Sequence, residues 1–282
     1  MNDIDVPVLI VGGGGAGLTA SMLLSRMGIE SLLVTAWPST SALPKAHVLN
    51  QRAMEVMRDA GVADTVYAAS TPAEQMSHTA WYVGLAGGHE DHGRRLARME
   101  AWGAGGNSPE WLAASPERQA NLPQIRLEPV LRTRAGELAP GRVRFHHELT
   151  GLAQDDEGVT ATVADRDTGE TYRVRARYLL GCDGGRTVGP AVGIVQEGVR
   201  DLARVVSFHI SADLSRWARD PEVLIRWLWL PRLGIPGILV PMGPTTGGPS
   251  PRSGSSTSTT GPMTPARWTT SPYSPTCARG WA

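Results

Sequence analysis

Six residues, GGGGAG at positions 12–17, constrain this chain more than any other stretch. They follow VPVLIV (Val6 to Val11), a short apolar run of the kind that forms a strand buried on both faces. LTASMLLSRMG comes next, with Leu18, Met22 and Arg26 on one helical face, Leu23 and Leu24 beside it, and a stop at Gly28. A second apolar run, Ser31 to Thr35, reads as another buried strand. Strand, Gly-x-Gly-x-x-Gly, helix, strand predicts a dinucleotide-binding turn. Gly12 permits the tight turn, Gly14 lets backbone approach a pyrophosphate, and Gly17 lets helix and strand pack closely. The helix N-terminus, with Gly15 and Ala16, offers amides and a positive dipole end to the phosphates. Thr35 stands where such units usually place a ribose-binding acid, and a hydroxyl bonds ribose less strongly than a carboxylate. The motif alone leaves NAD and FAD open.

Charge narrows the partners. Lys+Arg 27 against Asp+Glu 27 gives no basic excess, which argues against nucleic acid or an anionic membrane. Two cysteines, Cys182 and Cys277, are too few for a disulfide framework, and no Cys/His cluster suggests a metal. The acidic start MNDIDVP lacks a signal-peptide pattern, and no apolar run nears the ~18 residues of a membrane helix. The expectation is a cytoplasmic protein.

From His147 to Tyr178 the pattern turns to period two. Val159, Ala161 and Val163 alternate with polar residues, as do Tyr172, Val174 and Ala176, and turn signals separate them. This predicts an antiparallel meander leading into YLLGCDGGRT at 178–187, an apolar strand with Asp183-Gly184 at its end. Such a glycine allows close backbone approach, and the carboxylate can accept from a hydroxyl. A plain turn is the alternative reading of Asp-Gly.

Together the two motifs resemble the class A flavoprotein monooxygenases, the aromatic hydroxylases. GCDGGRTVG at 181–189 looks like their second FAD motif, although Thr187 and Pro190 stand near the places of its usual Ser and Arg. LPKAHVLNQRAMEVMRDAGV (43–62) and NLPQIRLEPVL (121–131) resemble the phenol and 2,4-dichlorophenol 6-monooxygenase branch. The resemblance implies an α/β fold: a Rossmann-type FAD-binding domain of the p-hydroxybenzoate hydroxylase-like kind, with the start of a β-sheet substrate domain. It implies FAD as cofactor, NAD(P)H as reductant, and O₂ and an aromatic small molecule as substrates. The implied reaction is ring hydroxylation through a flavin C4a-hydroperoxide. An inactive flavin-domain fragment, or a flavin oxidoreductase that does not hydroxylate, are the alternatives.

By the same resemblance, Lys45 and Arg52 help hold FAD, Gln124 bonds it, and Asp183 contacts its ribityl chain. Lys45 would act as a point charge where the family more often has the fork of an Arg. The alternatives are a solvated charge for Arg52, on a helix that Asn50 could cap, and a polar helix start for Gln124. His47 matches a His or Asp that faces substrate in this branch. A base near neutrality that takes the phenol proton makes the ring a better nucleophile, and histidine suits that task; a structural or exposed histidine is the alternative reading of His47. The other histidines read as structural or exposed.

The expected division is a FAD-binding domain at 1–200 with a variable insertion at about 84–120, an incomplete substrate-domain sheet at 201–242, and a disordered or out-of-frame tail at 243–282. VVSFHISADL (205–214) and EVLIRWLWLP (222–231) read as strands, the latter with Trp227 and Trp229 on one face, for core packing or for a substrate pocket. The tail is rich in Ser, Thr, Pro and Gly. One nucleotide inserted into a compatible coding sequence turns residues 243–261 into GPDHWGPKSEEWVFHLNYG, a string that resembles the family's continuation. A frameshift near Gly243 is therefore expected.

Overall fold

The computed structural model describes residues 3–85, 90–199, 205–211, 214–231, 233–242 and 256–261. β1 (Ile4–Val11) buries Val8 to Val11 because strands flank it on both sides. Helix α1 (Gly15–Arg26) starts without a side-chain cap at Gly14. It ends where Gly28, at φ 72°, takes the left-handed conformation that a helix C-terminus favours. β2 (Ser31–Thr35) is buried throughout, and β3 (Val48–Leu49) precedes α2 (Gln51–Ala60). Asn50 caps α2 by accepting the Ala53 amide at 2.8 Å. α3 is Ala63–Ala69.

β4 (His78–Val83) and β5 (Arg94–Glu100) follow, then a left-handed turn labelled α4 (Trp102–Gly106) and a short α5 (Pro109–Ala114). β6 (Ala120–Asn121) leads into α6 (Gln124–Leu138) and β7 (Val143–Phe145). The meander is β8 (His147–Asp155), β9 (Gly158–Asp165) and β10 (Thr171–Gly181), with the short α7 (Val188–Ala191) after it. The last strands are β11 (Val206–Ser211), β12 (Val223–Leu230), β13 (Ile235–Pro241) and β14 (Ser256–Gly261).

The first sheet runs β7-β2-β1-β10-β9-β8. Strands β7, β2, β1 and β10 are parallel, and β9 and β8 complete it antiparallel. Val11 lies level with Gly181 and with Val34, so three chains leave the sheet at one edge. Open α/β sheets bind ligands at such carboxyl ends. One face packs α1, α2, α3 and α6 around Leu18, Met22, Met54 and Leu131. The other face, with Val159, Ala161, Val163, Tyr172, Val174 and Ala176, is buried as the period-two pattern requires.

The second sheet runs β11-β14-β13-β12-β4-β5. Its membership departs from the division expected at residue 200. β4 and β5 come from inside the first span, and β12 pairs with β4 in parallel. Short strands widely separated in sequence carry no local sign of which sheet they join. The tail also differs from expectation at Ser256–Gly261, whose backbone pairs between β11 and β13; the remainder of 243–282, including the expected frameshift at Gly243, lies outside the described residues.

Core packing by the two tryptophans is not what β12 does. Leu224 and Leu228 take the buried side of the strand, while Trp229 is 48% exposed. Trp227 stacks on Trp81 across the strand pair, centroids 6.2 Å apart, and its indole N–H donates to Thr79 Oγ1 at 2.9 Å. A strand has two faces, and the larger apolar side chains here went to the outer one.

Candidate functional site

The glycine turn is held by its own absence of side chains. Gly12 sits at φ 117°, and a Cβ there would meet the Cys182 carbonyl oxygen at 2.2 Å and the Asp183 nitrogen at 2.8 Å. A Cβ at Gly17 would meet the Gly12 oxygen at 1.9 Å. Both positions therefore exclude any larger residue. Gly12 donates to Val34 O at 2.9 Å and Cys182 to Val11 O at 2.7 Å, which stitches the three strand exits together. At Gly15, by contrast, a Cβ would meet nothing within 4 Å, so the outer side of the turn is open. The first intrahelical bond runs from Leu18 N to Gly14 O; the amides of Ala16 and Gly17 lie ahead of it, where helices leave donors unpaired.

Thr35, at the end of β2, is buried, and its methyl group stands 2.7 Å from where a Gly13 Cβ would be. Asp183 lies beside the turn, as expected, and its carboxylate shapes the segment after β10. It accepts from the amides of Gly185 (3.1 Å), Thr187 (2.5 Å) and Val188 (3.0 Å). Burial pushes its pKa up, but these amides outweigh burial and hold it below the usual carboxylate range. Gly184 follows at φ 74°, a conformation natural to glycine.

A second group of residues meets the turn from the side. The Gln124 amide donates to Pro44 O (2.9 Å) and Ala46 O (2.8 Å), and Leu122 N donates to His47 O (2.8 Å). These bonds dock the loop carrying Lys45 and His47 on the start of α6. Gln124 Nε2 donates to Glu128 Oε1 at 2.5 Å. Glu128, almost wholly buried, also accepts from Gly15 N at 3.2 Å and Ser41 N at 2.6 Å. One carboxylate thus joins α6, the glycine turn and the loop after β2. Sequence reasoning passed over it. The available signal was an acid inside the apolar run of α6, between Leu127 and Leu131 and four residues after Gln124.

His47 is half-buried, and its Nδ1 lies 2.7 Å from Asn121 Oδ1. Burial lowers its pKa and the Asn121 hydrogen bond opposes this in part. Lys45 is exposed at φ 47°, an unusual backbone state for a residue with a Cβ. Arg52 is not gathered in: it lies on the outer face of α2 with its guanidinium on Glu55 at 2.6 Å. Among the described residues no group of His, Cys, Asp and Glu could hold a metal ion, and no helix is long and apolar enough to cross a membrane.

A sheet whose parallel part carries a glycine turn at its switch edge, met there by a second Asp-Gly segment, defines a Rossmann-type nucleotide-binding protein. The FAD binding domain family matches residues 5–249, and the chain belongs to that family. It is 35% identical over 237 residues to 2,4-dichlorophenol 6-monooxygenase of Delftia acidovorans, covering 83% of this chain and 39% of that protein. It is 37% identical over 247 residues to phenol 2-monooxygenase of Pseudomonas sp. (strain EST1001), covering 83% and 38%. Among solved structures, the flavin-dependent monooxygenase PieE in complex with FAD and substrate superposes with a TM-score of 0.81 at 37% identity, covering 97% of this chain and 46% of that one. The chain thus spans about two fifths of the length of these curated relatives.

The residues present fit FAD. The turn is built on glycines that side chains would fill, its outer side is open at Gly15, and the amides of Ala16 and Gly17, ahead of the first intrahelical bond, lie at the same edge as the segment after β10.

Proposed function

We propose that this chain is the flavin-binding part of a monooxygenase that hydroxylates a phenolic ring. The observation that carries the reading is the contact of Gly12 with the Cys182–Asp183 backbone, which puts the glycine turn and the Asp-Gly segment at one sheet edge. FAD, when bound and reduced by NAD(P)H, supplies the activation of O₂ for oxygen transfer. The amides of Gly14, Ala16 and Gly17 would hold its pyrophosphate, with Thr35 toward the adenosine ribose and Asp183 and Gly184 toward the ribityl side; the Gly15 amide would join them only by leaving Glu128. Lys45 and Gln124, on the docked loop and the start of α6, would add polar contacts, and Arg52 would join them only by leaving Glu55. His47 serves as the base that takes the phenol proton. Burial keeps it uncharged near neutrality, which is the state a base needs.

The test is direct. Purified chain mixed with FAD should retain a yellow chromophore through gel filtration. NADPH or NADH oxidation should quicken on adding phenol or 2,4-dichlorophenol, with a hydroxylated ring as product. A colourless protein sinks the flavin assignment. Flavin reduction without oxygen in the product sinks the hydroxylase assignment and leaves a flavin oxidoreductase.

A further inference from the structure

We propose that Asn121 fixes the tautomer of His47, keeping the ring proton on Nδ1 and leaving Nε2 as the proton acceptor. The proposal deepens the reading of His47 as a base and rests on it for its functional meaning. Its physical content stands on the hydrogen bonds alone.

Asn121 is fully buried, with 0% of its surface exposed. Its Nδ2 donates to Thr71 Oγ1 at 2.8 Å and to the Pro241 carbonyl at 3.2 Å. A carbonyl has no proton to give, so the group facing Pro241 must be the amide NH₂. That choice fixes the direction of the side chain. The other end, Oδ1, is an acceptor only, and it lies 2.7 Å from His47 Nδ1. Two acceptors at that distance repel, so Nδ1 carries the hydrogen. A neutral imidazole has one N–H, so Nε2 keeps its lone pair. Burial, which disfavours the doubly protonated ring, acts in the same direction.

The backbone reinforces the arrangement. β3 and β6 pair Val48 with Asn121, and Leu122 donates to His47 O. Ring and amide are therefore carried by hydrogen-bonded neighbours. Pro241 closes β13, so the second sheet selects the amide direction, and through it the ring nitrogen that can accept a proton. Asn121 is thus a positioning residue.

The experiment is long-range ¹H–¹⁵N correlation NMR on histidine-labelled chain at pH 8, with the His47 signals assigned by their loss in His47→Gln. The expected wild-type result is the Nδ1–H tautomer in excess of about ten to one, the tenfold that one such hydrogen bond supplies. Asn121→Ala should bring the two tautomers toward equality. An Nε2–H tautomer in the wild type overturns the proposal without any variant, as does an unchanged ratio in Asn121→Ala. Neither readout uses turnover. A His47→Gln enzyme that hydroxylates normally would therefore remove the base assignment while leaving the tautomer result intact.

Discussion

Gly12 presents its α-carbon to the carbonyl of Cys182 so closely that a methyl group there would lie 2.2 Å from the oxygen. The contact joins segments 170 residues apart and leaves neither room to shift, because Gly12 N and Cys182 N are both committed to strand carbonyls. Gly12→Ala should therefore suffer twice, from a strained backbone at φ 117° and from overpacking. A loss of about 2–6 kcal/mol is expected. Urea unfolding would measure it, and a variant as stable as wild type would show that the turn relaxes freely.

Glu128 is the buried acceptor of two backbone amides, Gly15 and Ser41. Glu128→Ala leaves both without it and should cost about 2–4 kcal/mol. Glu128→Gln keeps one oxygen but turns an NH₂ toward a donor, so it should lose part of that amount. Because Ser41 belongs to the loop after β2, limited proteolysis should cut near residues 39–43 faster in both variants. An unchanged cleavage pattern would remove the linking role.

Burial places the pKa of His47 below its ordinary 6.5, so the folded protein gives up that proton more readily than the unfolded chain. Between 6.5 and the lower folded value the unfolded chain binds more protons. Stability should then fall as pH drops from 6.5 through that window, and hold above it. His147, also lowered by burial, acts in the same window. The difference between wild type and His47→Gln isolates the contribution of His47. A variant with the same pH dependence as wild type would contradict the assignment. In turnover, the acid limb attributed to the base should lie below pH 6.5.

Trp227 stacks on Trp81 with an interplanar angle of 11°. Trp227→Leu removes the stack and the indole bond to Thr79. The expected loss is about 1–2 kcal/mol, together with a weakened near-ultraviolet circular dichroism signal. Full retention of that signal would mean that the pair is not ordered in solution.

Much of the first sheet was legible because its signals are local. An apolar run of five or six residues, then glycines at a fixed spacing, forces a strand, a turn and a helix in that order. The meander was legible for the same reason: alternation puts Val159, Ala161 and Val163 on one face whatever lies against them. The second sheet was not, since β4 and β12 pair across more than 140 residues and neither strand names its neighbour. The site divides likewise. Gly12, Gly17 and Asp183 could be placed from motif context, whereas Glu128 could not.

By itself, then, the amino-acid order determined the opening strand–turn–helix–strand, the meander before Asp183 and where side chains are forbidden, because backbone sterics and apolar periodicity act over a few residues. Tertiary structure alone decided that Glu128 meets Gly15 across 113 positions, and that Asn121 lies between His47 and Pro241. Hydrogen bonds reach only about 3 Å, and a carboxylate or amide is chemically compatible with many donors. Only the packing of α6, β6 and β13 chooses among them.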